Sequence, residues 1–316
     1  MNSNMIVSPA PHIHSGSSTN RIMLDVIIAL IPAFLAAFYI FGMRAVLLTG
    51  VCAASCVLFE FLYEILLKRK NTVKDLSAVL TGIILAFNLP VTIPIWQAVF
   101  GSFIAIILVK QLFGGIGKNI ANPAVTARII MFLAFPLTMT TWIAVGEADC
   151  ICCTDIITAA TPLAHLFRGE IDQLPNKLEL FLGFHGGCIG ETSIFALLIG
   201  FIYLLARKVI TPIIPVTFIG TVFALTAISG GIDFGILHIL SGGLFLGAVF
   251  CATDYVTSPI TNKGRIIFGI GCGLVTVIIR LYGSFPEGVS FGILFMNMLV
   301  PYINKLTLKK ALGGKK

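Results

Sequence analysis

The sequence predicts an all-α, polytopic membrane protein with about ten transmembrane helices. Three observations carry this. Charged residues make up only 11% of the chain, against roughly 25% in soluble domains, which is too little to cover a water-facing surface. Hydrophobic residues make up 57%, and the mean hydropathy is +1.01. The apolar residues also fall into ten runs, most of them close to the ~20 residues that a bilayer requires. The net charge of +7 is not read as a nucleic-acid footprint, because basic residues collect beside spans to fix topology.

In order, residues 1–21 form an arm with His12 and His14 that is too polar for a secretory signal. Runs 22–43, 45–67, 76–90, 95–113 and 124–145 make a first five-span half, residues 22–144. The third run is short and ends at Leu89-Pro90, with Pro94 following, which suggests a half-helix or a tight reversal. A polar loop covers 145–190. Runs 191–206, 212–230, 234–252, 265–282 and 287–304 make the second half, residues 191–304, and 305–316 is a basic tail. An odd number of spans per half gives two inverted repeats, a plan many transporters use around a midplane site.

Charge sets the orientation. Placing Lys68, Arg69, Lys70 and Lys74 in the cytoplasm and alternating through ten spans leaves 17 of 21 basic residues inside, as the positive-inside rule asks. Only Arg44, Arg168, Lys177 and Arg280 fall toward the outside. Both termini are then cytoplasmic, and Arg128 counts among the inner flanking residues. The 145–190 loop is external, with six acids against two bases.

Ionisable residues in apolar runs mark functional candidates. Asp25 reads as a snorkelling interfacial acid. Glu60 and Glu64, four apart, read as a ladder with Lys68 and Arg69 on one helix face. Arg280 either pairs with Glu287 or contacts an anionic ligand such as a phosphate. His238 reads as a hydrogen-bonded core histidine, since one imidazole makes no metal site. Thr192 or Ser193 is placed to cap the helix after the loop. Cys150, Cys152, Cys153 and Cys188 lie in the polar loop, but C-x-C-C lacks zinc spacing, so no metal site and no catalytic set is assigned. A disulfide to Cys188 stays open. Gly114-Gly115-Ile116-Gly117-Lys118-Asn119 lacks P-loop spacing.

At Thr158-Ala159-Ala160-Thr161-Pro162-Leu163 the chain resembles the RnfD component of the Rnf electron-transport complex, and more distantly the NqrB component of the sodium-pumping NADH:quinone oxidoreductase. The flavinylation pattern of this RnfD/NqrB family is approximately D-x-x-[ST]-G-A-T. Asp155, Thr158, Ala160 and Thr161 match it, and Ala159 stands where glycine is usual. Further resemblances are Ser8-Pro9-Ala10-Pro11-His12, Phe113 to Asn119, Asn122-Pro123-Ala124, Gly190-Glu191-Thr192-Ser193, Ala252-Thr253-Asp254, Ser258-Pro259 and Tyr282 to Gly288.

The resemblance implies an FMN joined through its phosphate to Thr161 by a separate flavin transferase, and a non-covalent riboflavin in the membrane. It implies an inner-membrane complex that passes electrons between ferredoxin and NAD and moves Na⁺ or H⁺. NAD, ferredoxin and iron–sulfur centres would belong to partner subunits. Gly190, Glu191, Thr192, Arg280 and Glu287 are expected at the outer FMN pocket. Asn119, Asn122, Thr126, Asp254 and Ser258 are expected at an inner riboflavin site. The ester needs an exposed hydroxyl between small residues, and Pro162 is expected to keep the next residues out of a helix start. A secondary transporter or solute channel without redox role is the rival, since fold does not fix function; colour separates the two.

Overall fold

The computed structural model of the protein describes residues 18–68, 73–143, 160–170, 172, 174–283 and 285–308. Among these residues the elements are helices, with no strand. In chain order they are α1 (Thr19–Phe41), α2 (Met43–Leu66), α3 (Ser77–Phe87), α4 (Ile95–Gln111), α5 (Pro123–Ala134), α6 (Pro136–Met139) and α7 (Pro162–Arg168). Then follow α8 (Lys177–Leu182), α9 (Ile194–Ala206), α10 (Ile213–Gly230), α11 (Ile232–Leu240), α12 (Leu244–Cys251), α13 (Asn262–Tyr282) and α14 (Val289–Thr307). The ends of α4 and α12 are π-helical, over Ile104–Gln111 and Gly247–Cys251.

Each of the ten apolar runs is helical, but not each is a full span. Among the described residues, five helices are long and apolar enough to cross a membrane: α1, α2, α10, α13 and α14. A sixth span results if α11 and α12, bent by 70° at their junction, count as one. Of the ten expected spans, five or six therefore have the length to cross, while α3, α4, α5 and α9 are shorter. The interruptions have local causes. Leu89-Pro90 stops α3. Pro136 excludes Phe135 from the helical region and splits the fifth run into α5 and α6. Residues 191–193 are not helical, and α9 starts only after Ser193, whose hydroxyl accepts from the Ala196 amide at 3.4 Å. Ser241 to Gly243 break the eighth run.

The two halves share an order of neighbours. Helix α2 packs on α3 and α4, while α10 packs on α11 and α13, and the halves meet along α1 and α9. Between them, the loop before α9 closes the end of α3. The Ile189 amide donates to Leu89 O at 3.1 Å, and the Gly190 amide to Phe87 O at 2.9 Å. The second bond satisfies the Phe87 carbonyl that the helix end leaves open. A Cβ on Gly190 would lie 2.3 Å from the Phe87 side chain, so this close approach requires glycine. The apolar core runs through both halves, with Phe41, Phe87, Phe218 and Phe268 fully buried. Leu35, Leu58, Ile228 and Leu306 point outward, as on a bundle sheathed in lipid.

Glu60 and Asp25 are paired across helices. Glu60 on α2 does not join a ladder with Lys68. It meets Lys110 on α4 at 2.7 Å, both side chains almost wholly buried. Gln111 Nε2 donates to the same carboxylate at 2.8 Å, and Lys110 Nζ also donates to Ser77 Oγ at 2.7 Å. Asp25 is likewise not a snorkelling acid. It is buried against α9, accepting from Tyr203 Oη at 3.1 Å and pairing with Arg207 at 3.3 Å. A buried carboxylate must be compensated where it lies, and a cation from the neighbouring helix does so.

Candidate functional site

Two cavities lie at opposite ends of α5. The outer one, so called for the side expected of Thr161, has a volume of about 440 Å³ and is bordered by Phe132, Trp142, Thr161, Arg168, Phe285 and Glu287. The inner one is smaller, about 100 Å³, and is lined by Ile84, Lys110, Asn119, Asn122, Phe250 and Asp254 among others.

Thr161 enters the outer cavity as the N-cap of α7. Its Oγ1 accepts from the Ala164 amide at 3.1 Å, and its backbone is extended, as an N-cap requires. Pro162 follows at the first helical position. The expectation that it would prevent a helix start is therefore wrong: a proline there has no amide to waste and its fixed φ suits the helix. Thr161 is also not freely exposed. It is 7% accessible and reached through the cavity. Asp155 and Thr158 lie outside the described residues.

Beneath the outer cavity is a buried charge cluster centred on Arg128. This guanidinium is in ion-pair contact with Glu287. It donates to Asn88 Oδ1 at 3.2 Å, Ser290 Oγ at 3.1 Å and Cys188 Sγ at 3.3 Å, and stands 3.9 Å from Glu191. Glu191 also accepts from the Cys188 amide at 3.1 Å. A Cβ on Gly243 would lie 2.6 Å from Glu191 Oε2, so any larger residue at the α12 start would push this carboxylate aside. Cys188 is a free, buried thiol. Nearby in the same loop, burial pushes the His185 imidazole below its ordinary pKa range.

Of the expected outer residues, Glu287 borders the cavity with Thr161, while Glu191 lies in the cluster below. Gly190 seats against Phe87 and Thr192 is buried beside it in the same loop. Arg280 does not pair with Glu287, whose partner is Arg128. Instead it donates to the His238 and Ser241 carbonyls, at 2.6 and 3.1 Å, bridging the break between α11 and α12. The free carbonyls at a helix end favour a cation. His238 is not the hydrogen-bonded histidine expected: both ring nitrogens are buried without a partner, and the ring packs edge-on to Phe234 at 4.4 Å.

Of the expected inner residues, Asn119, Asn122 and Asp254 converge on one cavity, while Thr126 and Ser258 do not line it. Asn122 is committed to backbone. It accepts from the Ala124 and Val125 amides, capping α5, and donates to Cys251 O at 3.1 Å. Asp254 accepts from the Val256 amide and Thr257 Oγ1. Asn119 Oδ1 is buried with no partner. Sequence reading missed Arg128 and Lys110 as site residues, counting both as cytoplasmic flanking charge. The available signal was a lone cation inside an apolar run.

These features define a class: a multi-pass helical membrane protein with two recesses at the two ends of one short helix and buried charge beside them. The profile of the NQR2, RnfD, RnfE family matches residues 6–313, and the chain belongs to that family. Three relatives are each the D component of an ion-translocating complex. That of the Na⁺-translocating ferredoxin:NAD⁺ oxidoreductase complex of Acetobacterium woodii is 48% identical, over 99% of this chain and 96% of that protein. That of the proton-translocating ferredoxin:NAD⁺ oxidoreductase complex of Clostridium ljungdahlii is 40% identical, over 98% and 96%. That of the ion-translocating oxidoreductase complex of Stutzerimonas stutzeri is 42% identical, over 94% and 93%.

Proposed function

We propose that this chain is the flavin-carrying membrane subunit of an Rnf-type ion-translocating ferredoxin:NAD oxidoreductase, relaying electrons through an FMN esterified to Thr161 and a non-covalent riboflavin. The observation that carries this reading is the cavity at Thr161. Its volume of about 440 Å³ suits a bound small molecule, for which sites run from ~300 to ~1,000 Å³. Phe132, Trp142 and Phe285 offer apolar faces for an aromatic ring system, and Arg168 offers a cation for a phosphate. The Thr161 oxygen serves as a hydrogen-bond acceptor to Ala164, a role that an ester oxygen can keep.

The inner cavity supports the riboflavin in its donor set. Asn119 Oδ1 is a free acceptor for a ring N–H, with Asn122 and Asp254 shaping the polar end. Its 100 Å³ is less than a flavin ring needs, so the cavity must widen on binding. When bound, the flavins supply the electron chemistry; the chain's part is to hold, orient and shield them. The reading further takes both termini as cytoplasmic and Thr161 as external, in a prokaryotic inner membrane. Other subunits of the complex would supply ferredoxin, NAD and iron–sulfur sites, and a transferase would attach the FMN. The two relatives named for Na⁺ and for protons make the Na⁺-dependence of electron transfer the measurement that identifies the ion.

Thr161→Ala is expected to abolish flavin fluorescence of the denatured polypeptide while acid-extractable riboflavin persists. A fluorescent Thr161→Ala band would refute the attachment. Protein that is colourless when produced with its transferase would instead favour the transporter reading.

A further inference from the structure

Ala124, Arg128 and Phe132 follow at i, i+4 and i+8 on α5 and so share a face. Ala124 lines the inner cavity and Phe132 the outer one. Arg128 stands about 6 Å along the axis from each, at 1.5 Å per residue. Its side chain is buried and held from three loops: Asn88 after α3, Cys188 and Glu191 before α9, and Glu287 before α14. The Cys188 sulfur and the Glu191 and Glu287 carboxylate oxygens lie within 4.8 Å of one another, a spacing able to hold a metal ion. Arg128 Nη2 is near all three.

We propose that Arg128 is a fixed-charge barrier that keeps Na⁺ and H⁺ from crossing this subunit between its two cavities. The guanidinium is a tethered cation in a cage that would otherwise suit a free one. It stays protonated in a protein and cannot diffuse away. A cation moving along α5 from either end meets like charge there, the device by which an arginine excludes cations from some membrane pores. Without it, the buried Glu191 carboxylate and that of Glu287 at the edge of the outer cavity would face each other and invite a cation in. In a machine that moves ions at the expense of electron transfer, such a leak dissipates the gradient. The inference needs no flavin in either cavity.

The test uses the whole purified complex in sealed phosphatidylcholine vesicles, without electron donor, loaded with radiolabelled sodium and a trapped pH dye. Arg128→Gln is expected to raise passive Na⁺ or H⁺ leak by about tenfold or more, given the strength of unit charges at this range. Glu287→Gln breaks the same ion pair but leaves the cation, so it is expected to stay tight. A merely structural role would open both variants alike. Arg128→Gln as tight as the parent, or Glu287→Gln leaking as fast as Arg128→Gln, overturns the proposal. If Arg128→Gln does not assemble, Glu287→Gln decides alone: tightness supports the barrier, and a cation leak overturns it.

Discussion

Glu60→Ala strands the Lys110 ammonium inside the bundle. The pair is 2.7 Å apart, with side chains only 2% and 1% exposed. The substitution leaves Lys110 Nζ with Ser77 Oγ and removes an acceptor of Gln111 Nε2. Breaking one side of a buried ion pair costs about 3–5 kcal/mol. Because Lys110 borders the inner cavity, partial hydration is available, and the lower end of that range is expected. The charge-free pair Glu60→Leu with Lys110→Met should recover most of this, since well-packed apolar replacements of buried pairs are often neutral. Cys52 and Cys56 are buried one to two turns away on α2, so a thiol-reactive dye reports unfolding of the detergent-purified complex on heating. The order of midpoints should be parent, then the double variant, then Glu60→Ala. If Glu60→Ala melts with the parent, or the double variant melts as low as Glu60→Ala, charge pairing is not what holds α2 to α4.

Gly190→Ala should drive a methyl into Phe87 and shift the end of α3, at about 1–3 kcal/mol for overpacking; a lowered melting midpoint in the same dye assay checks it. Asn122→Ala removes the α5 cap and the bond to Cys251 O, costing about 1–2 kcal/mol. That variant is expected to loosen the inner cavity and to show faster hydrogen exchange in the first turn of α5.

The helical class, the ten apolar runs and the short third helix were legible because periodic apolar content and proline act locally. Ser193 as a cap was legible for the same reason. What hydropathy hid was length. A run of apolar residues reads alike whether it crosses the membrane or turns back inside the protein, and only tertiary contacts such as Gly190 on Phe87 separate the two. Charge counting failed in a related way. It treats a lysine or arginine as a flank to be placed on one side, whereas Lys110 and Arg128 are buried by carboxylates from segments distant in sequence. Thr161 was legible as a motif. That it caps a helix and sits at the edge of a cavity depends on residues 132, 142 and 285, which no local pattern joins to it.

The closure of α3 by residues 189 and 190 has a consequence for how the protein is made. An eleven-residue helix is about 16 Å long, roughly half the hydrocarbon thickness of a bilayer. Asn88 and Leu89 close most of its end, but the amide that satisfies the Phe87 carbonyl, from Gly190, is synthesised about a hundred residues later. During that interval α3 has no settled place, and its neighbours α2 and α4 must shelter it. Insertion of the first half is thus unfinished business until the second half begins, and the order of synthesis becomes part of the fold.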